Sequence, residues 1–140
     1  MRYRSVFVLV CFLALLPGLS GAQSSEKETA AVAAAEKWLS TVDGGNYEQS
    51  WREAAEYFKN AVSKDKWVQS LTAGRNPLGK ILSRNVSRTS CNTSLPGAPD
   101  GEYVVIQFQS SFENKAAATE TVTPMKEKDG GWRVSGYFIQ

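Results

Sequence analysis

Histidine is absent from the 140 residues of this chain, and cysteine occurs only twice, at Cys11 and Cys91. Without histidine, the sequence excludes Ser-His-Asp and Cys-His catalysis, and it lacks the commonest protein ligand of transition metals. Cysteine alone, in so small a number, does not make a zinc site. Residues 74–80 end in Gly-Lys but lack the Ser or Thr that follows in a phosphate-binding loop. We therefore expect no metal and no cofactor, and we assign no catalytic residue.

An excess of charge is also missing once the first residues are set aside. The chain has 16 Lys and Arg against 14 Asp and Glu, and two of the basic residues are Arg2 and Arg4. They lie ahead of an apolar run over residues 6–16, and small residues follow up to Ala22. This pattern is typical of a secretory signal peptide that is cleaved after Ala22. We therefore expect a secreted or periplasmic protein without residues 1–22.

The predicted mature chain is electrically balanced. It carries as many Lys and Arg as Asp and Glu, 14 of each. Recognition of nucleic-acid phosphates needs a cluster of basic residues, which this sequence does not have. It also has no second apolar stretch of the length that spans a bilayer. We therefore expect neither a nucleic-acid partner nor a membrane span.

Cys91 is the single cysteine of the predicted mature chain, so it has no partner for an intramolecular disulfide. We interpret it as a half-buried apolar side chain at a strand end. The alternative is an intermolecular disulfide or a reactive thiol, which requires exposure and a nearby cation.

The first half of the mature chain has apolar residues at three- and four-residue steps, which indicates amphipathic helices. Three helices are predicted, at about residues 26–43, 46–61 and 63–73. Gly45 is expected to end the first helix, Asn46 to open the second with a capping-box-like start, and Ser63 to cap the third. Trp38 and Trp51 lie on apolar stripes and are expected to be buried against a sheet.

The second half alternates apolar and polar residues, which indicates strands with one buried face. Four antiparallel strands are predicted, at about residues 81–91, 102–112, 117–127 and 132–139. Asp129-Gly130 is typical of a tight hairpin turn, and Pro124 predicts a bulge, or else a strand start or break, because proline has no N–H. The fold class is therefore α+β: N-terminal helices on one face of a curved, cone-like, four-stranded antiparallel sheet, in one domain over residues 23–140.

Several segments of the mature chain carry a resemblance to a known family. They are Trp38-Leu39, Val42-Asp43, Tyr47, Ser50-Trp51, Ala61-Val62-Ser63, Trp67, Pro77-Leu78-Gly79, Pro96-Gly97-Ala98-Pro99-Asp100-Gly101-Glu102-Tyr103, Glu120-Thr121-Val122 and Gly131-Trp132-Arg133-Val134-Ser135-Gly136-Tyr137. The chain resembles domain-of-unknown-function family 4019, which consists of small secreted, mostly bacterial proteins. The resemblance implies a nuclear-transport-factor-2-like (cystatin-like) cone, in which a bent sheet wraps a long helix. It implies no activity, because the family has no established one.

Candidate binding residues come from the aromatic side chains. Aromatic residues at helical spacing mostly belong to the core, but the cone fold tends to leave an apolar cavity between helices and sheet. We expect Trp67 to line such a cavity, with Tyr57 and Tyr103 as further ligand-binding candidates. Asp43 and Arg75 lie beside helix ends, where the mouth of the cavity is expected.

Three functions remain open from the sequence. The first is a non-catalytic secreted module that binds a small apolar ligand or a protein partner. The second is a small isomerase- or dehydratase-like enzyme that uses a pocket tyrosine, such as Tyr57 or Tyr103, and a carboxylate whose pKa burial has raised. The third is an envelope interaction subunit, for example a homodimer through the open sheet face. An all-apolar pocket would favour the binding module, and a buried carboxylate beside a tyrosine hydroxyl would favour the enzyme. An exposed apolar sheet face would favour the interaction subunit.

Overall fold

The computed structural model describes residues 20–140, with side chains from Ser24 onward. Four α-helices and a 3-10 helix precede four strands. Their bounds are α1 Ser20–Asp43, α2 Tyr47–Arg52, α3 Glu56–Ala61, α4 Lys64–Gly74, the 3-10 helix Asn76–Leu78, β1 Ile81–Asn92, β2 Tyr103–Phe112, β3 Lys115–Lys126 and β4 Trp132–Ile139. Most of the predicted signal peptide, residues 1–19, lies outside the described residues. Within residues 20–140, no helix is both long enough and apolar enough to cross a membrane.

The four strands form one open antiparallel sheet in the order β1-β2-β3-β4, so each strand pairs with its neighbours in the chain. The helices pack on this sheet, which confirms the predicted α+β class. The turn between β3 and β4 also agrees with its prediction, because Gly130 has a φ of 84° and Glu127 N–H donates to the carbonyl of Gly131 at 2.8 Å. The register between β3 and β4 shifts between Thr123 and Pro124, which is the expected bulge.

α1 ends where its sequence predicts. Gly45 has a φ of 77°, in the left-handed region that glycine adopts without a steric penalty. The backbone N–H groups that follow turn back onto the helix, with Asn46 N–H donating to the carbonyl of Thr41 at 3.2 Å. Asp43 is thereby fixed as the last helical residue, directly above the sheet.

The single helix predicted over residues 46–61 is wrong, because the structure has two short helices there, α2 and α3. The interruption includes Ala54 and Ala55, both fully buried. Ala55 is extended (ψ 149°), and its N–H donates to the carbonyl of Val134 in β4 at 2.8 Å. Two small side chains allow the backbone to approach β4 this closely. A tertiary hydrogen bond therefore overrides the high helix propensity of alanine.

Helix capping agrees with the prediction at one of two positions. Ser63 caps α4, and its side chain accepts a hydrogen bond from the backbone N–H of Lys66 at 3.3 Å. Asn46 precedes α2 without a side-chain capping bond, so the expected capping box is absent. The side chain of Gln49 instead donates to Glu53 at 2.9 Å.

The core lies between α1 and the inner face of the sheet. Its buried members include Ala31, Ala35, Leu39 and Val42 of α1 together with Val104, Ile106 and Phe108 of β2 and Val122 of β3. Trp38 is buried as expected, with 3% of its surface exposed, whereas Trp51 is only half-buried. Trp51 Nε1 donates to the carbonyl of Val62 at 2.8 Å, which ties α2 to the end of α3.

Candidate functional site

A buried carboxylate, Glu120, lies at the centre of the inner sheet face. It lies on β3 between the inward residues Ala118 and Val122, and its own exposure is 0%. One carboxylate oxygen accepts hydrogen bonds from Arg84 Nε at 2.7 Å and from Ser110 Oγ at 2.6 Å. The other accepts one from the hydroxyl of Tyr137. Three different strands thus supply the partners that this buried group needs.

The same network reaches the ends of two helices through two arginines. Arg84 of β1 donates to both carboxylate oxygens of Asp43, at 2.7 and 3.0 Å. Arg75, the residue after α4, donates to Asp43 at 3.1 Å and to the carbonyl of Gly79 at 2.6 Å. A carboxylate at the C-terminal end of a helix is unfavourable to the helix dipole, so the two guanidinium groups stabilise the position of Asp43. We call Asp43, Arg75, Arg84, Glu120, Tyr137 and Ser110 the buried charge network.

The environment of the network shifts two pKa values. Burial raises the pKa of Tyr137, and the neighbouring charge of Glu120 raises it further. Burial of Arg84 acts to lower its pKa, but its hydrogen bonds to Asp43 and Glu120 together outweigh that effect and raise it. Tyr137 is therefore a neutral hydrogen-bond donor and Arg84 a permanent cation at any ordinary pH.

A cleft of about 180 Å³ opens beside this network, between α4 and β4. Its walls include Trp67, Leu71, Arg75, Tyr137 and Ile139, and we call it the α4–β4 cleft. Arg75 and Tyr137 belong both to the cleft wall and to the network. The cleft therefore combines apolar walls with two polar side chains whose positions are fixed by the buried charge network.

An aromatic cluster supports the inner wall of the cleft. The ring centroid of Trp67 lies 4.9 Å from that of Phe58, and Trp38 lies 5.3 Å from Tyr137, both with edge-to-face geometry. The indole N–H groups of Trp67 and Trp38 converge on Ser50, the first on its hydroxyl at 2.9 Å and the second on its carbonyl at 2.8 Å. These contacts explain why Ser50 is fully buried.

The predicted ligand-binding residues lie in two different places. Trp67 lines the α4–β4 cleft and also belongs to the core, with only 7% of its surface exposed. Tyr57 and Tyr103 lie beside the loop after β1, where their hydroxyls donate to the carbonyls of Gly97 at 2.6 Å and Pro99 at 2.5 Å. The structure therefore does not bring Trp67 and the two tyrosines together.

A second cleft, of about 590 Å³, lies beside Tyr57, between the start of α3 and the β3–β4 hairpin. Pro99 and Met125 are among its lining residues, but charged residues form the majority. They are Glu56, Asp100, Lys126, Glu127, Lys128 and Asp129. The hydroxyl of Tyr57 already donates to the loop carbonyl of Gly97, so this side chain positions the loop.

Sequence reasoning pointed to Asp43 and Arg75, and the structure pairs them. It did not point to Arg84, Glu120 or Tyr137, which complete the network. The sequence did contain an indication of Glu120. It lies two residues from both Ala118 and Val122, so in a strand its side chain points to the same, otherwise apolar, face. A charged residue at an inward position is rarely tolerated without a partner.

Cys91 is exposed near the end of β1, not half-buried as expected. Its thiol lies 3.7 Å from the carboxylate of Glu28. Local desolvation and this carboxylate raise the pKa of the thiol, which reduces the thiolate fraction at neutral pH. Its surroundings are therefore the opposite of those that activate a cysteine. Within residues 20–140, no group of three or more side chains of the metal-binding types is assembled.

Comparison with known proteins identifies the family but no relative of known role. No curated protein sequence matches this chain at a significant level. The family model DUF4019, described as a protein of unknown function, matches residues 34–137. That range includes every member of the buried charge network and most of the α4–β4 cleft. The match agrees with the resemblance found in the sequence, and the chain belongs to the DUF4019 family.

Proposed function

We propose that this protein is an exported, non-catalytic binding domain of the nuclear-transport-factor-2-like type, which holds a small, largely apolar ligand in the α4–β4 cleft. The observation that carries the proposal is the composition of that cleft. Trp67, Leu71 and Ile139 supply apolar surface, while Arg75 and Tyr137 supply polar groups fixed by the buried charge network. Ligand sites combine apolar walls and few, well-placed polar groups in this way.

The volume of the cleft limits the size of the ligand. A volume of about 180 Å³ corresponds to about six water molecules at roughly 30 Å³ each. A compound with one ring or a short branched chain matches this volume, whereas a fatty acid or sterol would extend out of the cleft. In the larger cleft beside Tyr57, the tyrosine hydroxyl already donates to the carbonyl of Gly97, so it is not free to bind a ligand.

Binding is favoured over catalysis by the state of Glu120. Both of its oxygens already accept hydrogen bonds, and the side chain has no exposed surface. Its ion pair with Arg84 at 2.7 Å fixes the position of the side chain. The raised pKa of Tyr137 keeps the phenol protonated, so it is not a base either. These groups therefore fix the cleft wall and are poorly placed to transfer protons.

The proposal is tested by blocking the cleft. Ser70 is exposed and belongs to the cleft wall, so Ser70→Trp fills the opening without altering the core. Gln69→Trp is the matched control, because Gln69 is exposed on the same helix and outside the cleft lining. We expect ethylbenzene or acetophenone to shift amide NMR signals of cleft residues saturably in the wild type and in Gln69→Trp, but not in Ser70→Trp. Failure of both probes to saturate, or equal binding by both variants, contradicts the proposal.

Native mass spectrometry of protein purified from its own host gives a second test. Retention of a ligand by the wild type and by Gln69→Trp, with its loss from Ser70→Trp, supports the same site. The spectrum also reports the oligomeric state. A ligand retained equally by all three proteins places binding elsewhere.

A second candidate function, a small enzyme of isomerase or dehydratase type, is favoured by one contact. The hydroxyl of Tyr137 donates to a buried carboxylate, Glu120, and Tyr137 lines the cleft. Proton exchange at the methyl group of acetophenone in deuterium oxide tests it, because exchange needs an acid and a base beside the carbonyl. We expect no acceleration over buffer. Acceleration that is lost in Tyr137→Phe favours the enzyme.

An envelope interaction subunit receives less support. Within the described residues, the exposed large apolar side chains are Leu82, Val86 and Phe138. They lie on β1 and β4, the two outer strands, with β2 and β3 between them. They therefore form no continuous apolar face through which a homodimer or a protein partner docks.

A further inference from the structure

Two of the three guanidinium nitrogens of Arg75 donate hydrogen bonds to the protein. Its Nη1 donates to the carbonyl of Gly79 at 2.6 Å, and its Nη2 donates to Asp43 at 3.1 Å. The guanidinium carbon lies 4.5 Å above the ring centroid of the buried Phe112, which fixes the plane of the group. Only 4% of the surface of Arg75 is exposed.

The third nitrogen, Nε, has no hydrogen-bond partner within residues 20–140 and is shielded from solvent. A buried donor without an acceptor disfavours the folded state, and natural structures rarely leave one. Arg75 lines the α4–β4 cleft. A ligand in that cleft serves as the acceptor if the Arg75 side chain shifts toward it, because Nε is otherwise shielded from solvent.

The charges around Arg75 decide which kind of acceptor fits. Two guanidinium groups, of Arg75 and Arg84, face two carboxylates, of Asp43 and Glu120, so the formal charges of the network cancel. An anionic ligand adds an unbalanced negative charge near a network whose charges already cancel, which is unfavourable. A neutral acceptor uses the free Nε–H without this penalty.

We infer that the ligand of the α4–β4 cleft carries a neutral hydrogen-bond acceptor, such as a carbonyl oxygen of a ketone, ester or amide, which Arg75 Nε–H binds. The inference rests on the proposed function, since it concerns the same cleft. It divides the ligand into an apolar body, placed against Trp67 and Leu71, and one uncharged oxygen. It excludes carboxylic acids in their ionised form, although an arginine in a cleft usually suggests them.

Three probes of similar size separate the alternatives: ethylbenzene has no acceptor, acetophenone has a neutral carbonyl and benzoate has a negative charge. Dissociation constants are measured by NMR titration of the wild type. We expect acetophenone to bind roughly tenfold or more tightly than ethylbenzene, because a hydrogen bond to a charged donor is worth about that factor or more. Benzoate is expected to bind most weakly. The Arg75 Nε–H signal should shift with acetophenone and not with ethylbenzene.

Arg75→Lys removes Nε while keeping the positive charge. In this variant the advantage of acetophenone over ethylbenzene is expected to fall to about twofold or less. If the variant does not fold, the wild-type series and the Nε–H signal decide the question alone. Equal binding of ethylbenzene and acetophenone, or tighter binding of benzoate, overturns the inference and leaves the proposed binding function intact. If none of the three probes binds, both this inference and the proposed binding function are overturned.

Discussion

Replacing Glu120 by leucine removes the common acceptor of three hydrogen bonds, from Arg84, Ser110 and Tyr137. Because Glu120 is fully buried, none of these donors gains water in its place. Arg84 keeps its ion pair with Asp43 but loses the one with Glu120. The variant therefore removes one partner of a buried ion pair and leaves the other in place. We expect Glu120→Leu to lower the free energy of unfolding by about 3–5 kcal/mol. This is a large part of the ~5–15 kcal/mol that stabilises a typical domain.

Two further variants separate the charge of Glu120 from its shape. Glu120→Gln keeps the volume and one acceptor oxygen, so we expect a loss of about 1–2 kcal/mol, the difference between a charge-assisted and a neutral hydrogen bond. The double variant Arg84→Met/Glu120→Leu replaces both partners with apolar side chains. It should cost less than the sum of the two single variants, by about 1–3 kcal/mol, because neither charge is left unpaired.

Urea unfolding at pH 7, followed by tryptophan fluorescence, compares the wild type, Glu120→Leu, Glu120→Gln, Arg84→Met and the double variant in one assay. A loss below about 1 kcal/mol for Glu120→Leu would refute the view that the network is coupled. Strict additivity in the double variant would show that Arg84 and Glu120 stabilise the fold independently. Either result would also weaken the argument that Tyr137 and Arg75 are held rigidly at the cleft.

Three other outcomes are expected. The raised pKa of Tyr137 means that the folded state holds the phenolic proton more tightly than the unfolded state does. This contribution to stability is complete below the ordinary pKa of 10.0 and is lost progressively above it. Tyr137→Phe should therefore lose less stability than the wild type between about pH 9 and about pH 11, as measured by urea titrations. Gly79→Ala should destabilise the protein more than Gly97→Ala does. Both glycines have a positive φ, but of the two only Gly79 places an added Cβ close to another atom, 3.0 Å from Glu113 Cβ. Equal thermal unfolding midpoints for the two variants would contradict this. N-terminal sequencing of exported protein should begin at Gln23, and a start at Met1 would overturn the predicted cleavage.

The regular parts of the fold follow from local patterns in the sequence. Alternation along β2, the Asp129-Gly130 turn and the bulge at Pro124 each depend on neighbouring residues, and each was predicted. The break before α3 was not predicted, because it depends on a hydrogen bond from Ala55 to Val134, far along the chain. Local propensity contains no information about such a contact.

The candidate site was predicted only in part, for the same reason. Asp43 and Arg75 were recognisable as polar residues beside helix ends. Their partner Arg84 lies 41 residues beyond Asp43, and Glu120 lies 36 residues beyond Arg84. A single arginine in a mostly exposed strand looks like a solvated side chain, and only the packing of α1 across β1 brings it to Asp43.

The order of the strands has a consequence for the time course of folding. Every strand pairs with a chain neighbour, so hairpins close short loops and the sheet can form early. The ion pairs of Asp43 and Glu120 with Arg84 close loops of 41 and 36 residues and require the sheet to exist first. Interactions that form after the rate-limiting step slow unfolding without accelerating folding. The network is therefore expected to determine the rate of unfolding, whereas the hairpins determine the rate of folding.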